Sequence, residues 1–284
     1  MTLQTIDTGF FKLDGGAMFG VVPKSLWNKL NPADERNLCT WAMRCLLLEA
    51  GNQLVLVDTG MGDKQDARFF GHYDLHRGDG PGDANLLDSI RKAGYSETDI
   101  TDVFLTHLHF DHVGGAVRRT HGGNLVPTFP NARYWSHSEH WQWATNPNAR
   151  ERASFLSENI LPIQASGQLS FMNETPIDVP GLETIYVDGH TEKMALPKLT
   201  INGKTLLFCA DLIPSSHHLP LPWIMSYDVR PLLTMDEKTR ILQQAAAENW
   251  VLVFQHDPLV EAATVEMTEK GVRLKDKGPL QAFM

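Results

Sequence analysis

Cysteine is scarce in this sequence: only Cys39, Cys45 and Cys209 occur, and they form no CxxC pair. That pattern supports no disulfide framework. Long apolar runs are missing as well, and nothing approaches the roughly 20 residues of a membrane span. Basic residues are outnumbered, 25 Lys and Arg against 34 Asp and Glu, for a net charge of −9. Phosphate contacts want a basic face, so a nucleic-acid partner is disfavoured. The first residues, MTLQTIDTGFFKLDGG, carry acidic groups early and have no long apolar core, unlike a signal peptide. A reducing cytoplasm is therefore the expected location. No GxSxG elbow offers a serine nucleophile. Repeats, low-complexity tracts and linker-like stretches are also lacking, so residues 1–284 read as one domain.

What is present suits a globular protein. Of the 284 residues, 42% are hydrophobic and 21% charged, enough for a large core. Short β-like runs fall at 43–50, 53–58, 102–107, 132–136, 182–188, 197–201, 204–211 and 250–256. The sequence Asn202-Gly203-Lys204 between two of them predicts a hairpin with Gly203 at positive φ. Helical patterns cover 82–94, with Gly94 as C-cap, then 136–144 with a serine cap, 153–163 and 234–249. In the last, Thr234 and Glu237 have the spacing of a capping box. The segments 12–40, 61–82 and 212–233 are long for plain connections and are expected to shape a cleft. Mixed strands and helices in this order predict sheets covered by helices.

The informative stretch is FLTHLHFDHVGG, residues 104–115, which brings His107, His109, Asp111 and His112 within six positions. It follows a buried-strand pattern, so the four groups should sit in a turn at the strand's C-terminal end. Gly114 and Gly115 then allow a tight bend or a close backbone approach. Imidazole with carboxylate suits a borderline divalent metal such as zinc. A single histidine is ordinarily a surface or hydrogen-bonded core residue, but burying four such groups without partners is too costly. Further candidates lie at other strand ends: His190 in IYVDGHT, Asp211 in LLFCAD and His256 in VLVFQHD.

This set, with LVLVDTGMG at 54–62, resembles the metallo-β-lactamase-fold hydrolases over nearly the whole chain. The resemblance implies an α/β (α+β) four-layer αββα sandwich: two mixed β-sheets with outer helices and metals at one edge. It also implies that His107, His109 and His190 hold one metal, that Asp111, His112 and His256 hold a second, and that Asp211 bridges them. Asp58 would orient a ligand loop, or else be a carboxylate satisfied in a turn. Five histidines and two carboxylates leave open positions on two divalent ions, with zinc expected. Two ions roughly 3.5–4 Å apart can share a hydroxide nucleophile, with Asp111 returning a proton.

The segments ADLIPSSHHLPLPWIMSYDVRPLLTMDEK and LDGGAMFGVVPKSLW resemble the N-acyl-homoserine lactone lactonase subgroup. A small lactone or ester is then the expected substrate. Several such lactonases carry a tyrosine three residues after the bridging aspartate, where this chain has Pro214. A phosphotriesterase or aryl-esterase is the alternative hydrolase. An iron-dependent oxidoreductase and a non-enzymatic metal-binding module are the alternatives of other classes. Met18, Phe19, Trp27 and Trp223 are either walls for an apolar substrate or core packing, and one of His217 and His218 is expected to line the pocket. His72, His76, His121, His137 and His140 read mainly as surface residues. Cys209 reads as a buried inert thiol. The oligomeric state is left open between a monomer and a homodimer.

Overall fold

The computed structural model describes residues 1–75 and 84–284. It divides into two compact units, one of Met1–Phe10 with Met43–Pro180, the other of Phe11–Ala42 with Gly181–Met284. The strands are β1 (Thr2–Asp14), β2 (Leu38–Ala50), β3 (Gln53–Val57), β4 (Asp102–Phe104), β5 (Val117–Arg119), β6 (Leu125–Pro127), β7 (Arg133–Ser136), β8 (Leu169–Phe171), β9 (Leu182–Val187), β10 (Met194–Ile201), β11 (Lys204–Phe208), β12 (Val251–Val253), β13 (Ala262–Thr268) and β14 (Gly271–Gly278). The α-helices are α1 (Gly15–Phe19), α2 (Lys24–Trp27), α3 (Ala67–His72), α4 (Leu86–Lys92), α5 (Phe110–Val113), α6 (Ser138–Thr145), α7 (Ser157–Ala165) and α8 (Pro231–Glu248).

The first unit is built on the sheet ordered β1-β2-β3-β4-β7-β8. β2 and β3 form an antiparallel hairpin, whereas β3, β4, β7 and β8 run parallel, with Val57, Phe104 and Trp135 in register. Its core packs Leu47, Leu56, Val103 and Leu105 from the sheet against Ile90 of α4, Trp141 of α6 and Ile160 and Ile163 of α7. Parallel strands put their C-terminal ends on one edge, where loops build sites.

The second unit holds the sheet ordered β14-β13-β12-β11-β10-β9. Only β11 and β12 are parallel, and Phe208 and Val253 at their ends are in register. The predicted hairpin joins β10 to β11, with φ of 52° at Asn202 and 77° at Gly203. α8 buries Thr234, Glu237, Lys238, Ile241, Leu242 and Ala245, the spacing of one helical face.

Several boundaries differ from the sequence reading. α8 begins a turn before Thr234, because Pro231 is preorganised for a first helical turn. No capping box forms. Thr234 is buried inside the helix, and Glu237 accepts hydrogen bonds from the amides of Asp188 and Gly189. Ser136 ends β7, and His137 caps α6 instead. α7 starts at Ser157, not 153. The described part of the 82–94 prediction is α4, capped by Asn85 and followed by Gly94 at φ 92°; residues 82 and 83 lie outside the described residues. β1, β13 and β14 were not expected, since their apolar positions are diluted by charge and Thr.

Of the residues read as pocket walls or core packing, Met18, Phe19 and Trp27 are core. Phe19 stacks between Trp27 (centroids 5.2 Å apart) and His218 (4.9 Å), with Trp41 and Trp223 at its edges. Met18, Phe19, Trp27 and His218 are each 1% exposed or less, so they leave no surface for a substrate; Trp223 is half-buried. Apolar rings on adjoining short helices gain more from one another than from solvent. His218 completes this cluster as a neutral ring: Nε2–H donates to the Met18 carbonyl at 2.9 Å, so Nδ1 accepts from the Ser215 hydroxyl at 2.7 Å.

Burial pushes the His218 pKa down to about 3. The stability gained by keeping it neutral is complete above the ordinary histidine value, about 6.5, and is lost as pH falls from there toward 3. We expect His218→Gln to lower stability at pH 7 but to flatten the decline between pH 7 and pH 5. Denaturant unfolding at both pH values checks this, and equal slopes in the two proteins would remove His218 from the acid response.

Candidate metal centre

Four predicted ligands stand at a common offset from strand ends. His107, His190, Asp211 and His256 each lie three residues beyond the last residue of β4, β9, β11 and β12. A fixed offset at strand C-termini gives each side chain the same kind of short turn to stand on.

In the first unit, Asp58 organises the cluster. It follows β3 with φ 58°, fully buried, and its amide bonds the Phe104 carbonyl. One carboxylate oxygen accepts from the Thr106 amide at 2.8 Å. The other accepts from the Thr106 hydroxyl at 2.7 Å and lies 3.0 Å from Nδ1 of His112. Since a carboxylate only accepts, His112 carries its proton on Nδ1, and Nε2 keeps the lone pair a metal needs. Asp58 therefore ties the end of β3 to Thr106 and to the His112 ring.

His107 and His109 point their rings together, with centroids 4.6 Å apart and ligand atoms within 4.8 Å. Asp111 and His112, on α5, are likewise within that limit, and the His107 and His112 rings approach to 3.8 Å. The two glycines serve close approach. A Cβ on Gly114 would meet the Met61 carbonyl at 2.1 Å, and one on Gly115 the Thr59 carbonyl at 2.2 Å. The backbone of α5 is thereby laced to the segment after Asp58, where Thr59 bonds the His112 carbonyl and Gly115 bonds that of Gly60.

In the second unit, Asp211 lies between two imidazoles. Its Oδ2 is 3.1 Å from Nε2 of His190, and its Oδ1 is 2.9 Å from Nε2 of His256. Both rings are fixed from behind. His190 Nδ1 lies 2.9 Å from Asp228, and His256 Nδ1 donates to the Ala42 carbonyl at 2.7 Å. The His256 amide bonds the Pro214 carbonyl. Ala210, at φ 41°, turns the chain so that Asp211 leaves the strand end toward the histidines. Burial alone would lower the pKa of His190, but Asp211 and Asp228 raise it to about 10.

Donor chemistry fits a borderline divalent ion: imidazole nitrogens with their far sides anchored, and a carboxylate with one oxygen toward each of two rings. Cys209 is buried, its thiol pushed up by burial, and it donates to the Leu207 carbonyl.

Four participants escape the sequence reading. Asp228 sits in a long loop, inside the segment 210–238 quoted above but not marked out from its neighbours. Glu237 is disguised as a capping residue. Glu151 lies 3.5 Å from Nε2 of His109 and accepts from the Trp143 indole. His140, expected at the surface, is 1% exposed, and its Nε2 accepts the Leu108 amide between two ligands. Its place on the buried face of α6 was the available signal. His137 is buried too, His72 and His121 are exposed, His217 is half-buried, and His76 lies outside the described residues.

A model of the metallo-beta-lactamase superfamily matches residues 44–256. The chain belongs to that superfamily. An N-acyl homoserine lactonase of Bacillus cereus is 27% identical over 198 residues, covering 63% of this chain and 69% of that protein. The crystal structure of a probable metal-dependent hydrolase from Staphylococcus aureus superposes with a TM-score of 0.86 at 25% identity, covering 98% and 96% of the two chains. AidC, a dizinc quorum-quenching lactonase, has the same fold, with a TM-score of 0.78 at 22% identity over 97% and 94%. The metallo-β-lactamase fold and the character of a metal-dependent hydrolase expected from sequence are thus established.

Asp58→Asn replaces an acceptor facing His112 by an amide that must turn a donor to one of its three partners. We expect about 10- to 100-fold weaker metal retention with near-native circular dichroism. Competition against a graded chelator measures it, and unchanged retention would reduce Asp58 to a turn residue.

Proposed function

We propose that this chain opens a small lactone, of the N-acyl homoserine lactone kind, at a centre of two zinc ions. The observation that carries this reading is the Asp211 carboxylate, with one oxygen toward His190 and the other toward His256. In this reading His107, His109 and His190 serve one ion, Asp111, His112 and His256 the other, and residues 1–284 work as one domain. The similarity to N-acyl homoserine lactonases supports the substrate class. Bound ions would supply polarisation of the ester carbonyl and a more acidic water.

The protein's own groups do the rest. Asp211 would serve both ions, since one of its oxygens lies toward His190 and the other toward His256. Asp58, Asp228 and the Ala42 carbonyl hold three imidazoles by Nδ1, so no reorientation is needed when substrate arrives. Asp111, in the first turn of α5, returns a proton to the leaving alkoxide. Pro214 has no hydroxyl to offer a substrate carbonyl, and its own carbonyl holds His256 instead. Carbonyl polarisation then rests on the metals, so lactone turnover should be modest, with side activity on activated esters.

An apolar tail finds a different wall from the one read in sequence. Phe69 of α3 and Tyr73 just after it pack on Phe110, the residue between His109 and Asp111, at centroid distances of 5.5 and 4.7 Å. Phe69, Phe70 and Tyr73 are only half-buried, so this aromatic shelf has surface to offer. The net charge of −9, with no helix among the described residues long and apolar enough to cross a membrane, accords with a small-molecule substrate.

Elemental analysis of protein never exposed to chelator should give close to two ions per chain; one or none would sink the dinuclear reading. Asp211→Asn should cut turnover by about 10²-fold or more while circular dichroism stays near native, because an amide brings no negative charge between two cations. A lactone series of rising acyl length, at fixed metal content, tests the substrate. Each two-carbon step should improve kcat/KM roughly tenfold until the shelf is covered. If an activated phosphotriester is cleaved faster than every lactone, the phosphotriesterase reading replaces this one.

A further inference from the structure

We infer that Glu237 and Lys238, neighbours on α8, are positioning residues that together set the His190 ring. Glu237 holds the turn that carries His190, and Lys238 holds the loop that carries its partner Asp228. The inference rests on the proposed role of His190 as a metal ligand.

His190 is reached by two chain segments. One is its own turn after β9. There the Glu237 carboxylate accepts both the Asp188 amide at 2.7 Å and the Gly189 amide at 3.0 Å. The fit is close: a Cβ on Gly189 would lie 2.4 Å from the Thr234 amide nitrogen of α8. The other segment is 220–230, which brings Asp228 to Nδ1 of His190. It also pairs with the first segment by backbone, from Val229 to the His190 carbonyl and from Arg230 to that of Gly189.

The second segment begins Pro220-Leu221-Pro222-Trp223, and two prolines remove two amide donors from it. Its own backbone supplies one bond there, from the Trp223 amide to the Pro220 carbonyl, and Lys238 adds more. Its Nζ reaches the carbonyls of Pro220 at 2.8 Å, Leu221 at 3.4 Å and Trp223 at 2.8 Å, on a side chain with 0% exposure. A lysine head is costly to bury, and an apolar residue would pack that helix face without the cost. What lysine adds is a three-way grip on the loop. From Trp223 the chain runs directly to Met225, whose amide bonds the second oxygen of Asp228 at 3.2 Å. Burial pulls the Lys238 ammonium down to about 7, and the charge opposing that pull is Asp228 itself. Adjacent residues on one rigid helix thus fix the ring and the acceptor of its proton in a common frame.

The test uses the full-length, zinc-loaded protein and reads metal affinity by chelator competition beside thermal stability. Lys238→Met should weaken retention of one ion about 10-fold or more. Leu242→Ala, a core truncation on the same face of α8 that removes none of these hydrogen bonds, should lower the melting temperature without changing retention. In an Asp228→Asn background Lys238→Met should add less than about 2-fold, because the acceptor it positions is already impaired. In an Asp58→Asn background its full effect should persist. Glu237→Gln acts on the His190 turn and not on Asp228, so it should weaken retention by itself and keep that effect in the Asp228→Asn background; it stands in for Lys238→Met, against Leu242→Ala, if that variant does not fold. Retention equal to that of Leu242→Ala, or full additivity of Lys238→Met with Asp228→Asn, would overturn the inference. His190→Ala separates the two levels. If it keeps both ions at native affinity, the ligand role of His190 is wrong; if it loses one while Lys238→Met does not, only the positioning role fails.

Discussion

A buried imidazole can offer a cation the lone pair of Nε2 only if its proton sits on Nδ1 and something accepts a hydrogen bond from it there. That requirement shapes much of this molecule. Asp58 meets it for His112, Asp228 for His190 and the Ala42 carbonyl for His256. Each acceptor must itself be buried and held. Asp58 is therefore tied to Thr106, Asp228 to Met225, and Ala42 is joined by its amide to the His256 carbonyl. Positive φ at Asp58 and Ala210, and glycines where backbones nearly touch, are local costs of keeping those groups in place.

Tight turns and loose loops divide the work. The ligand turns are short, follow strand ends at a fixed offset and are laced by backbone bonds. The aromatic shelf around Phe69 and Tyr73 is half-exposed and stands on a short helix capped by Asp66. If that shelf holds the substrate's tail as proposed, preference would drift through α3 while the residues after the strand ends stay where they are. This accords with a superfamily whose fold alone does not tell which bond is cut.

Much was legible in the sequence for physical reasons. Strands buried on both faces read as apolar runs, so β3, β4, β11 and β12 and the ligands behind them stood out. Asn202-Gly203 announced its hairpin. The edge strand β14 did not read as a strand, because Val272 and Leu274 alternate with Arg273 and Lys275 and only half the pattern is apolar. Local signals misled where tertiary partners outbid them. Glu237 had capping spacing, but two amides across the fold claimed its carboxylate. Phe19, Trp27 and His218 lay in a loop-rich stretch and could not reveal that they stack on one another. Asp228 was not singled out within the segment 210–238, because only the distant ring it faces gives that one acidic residue its meaning.

The His190 ring, held between Asp211 and Asp228, has a further consequence for how this chain can change. Each of its nitrogens faces a carboxylate oxygen, so a half-turn of the ring would set carbon-bound hydrogens against both. The ring therefore has one pose that satisfies both neighbours, and a substitution at either aspartate frees it to turn. A loop that looks remote from the strand ends, 220–230, thus comes under the same constraint as the strand ends themselves.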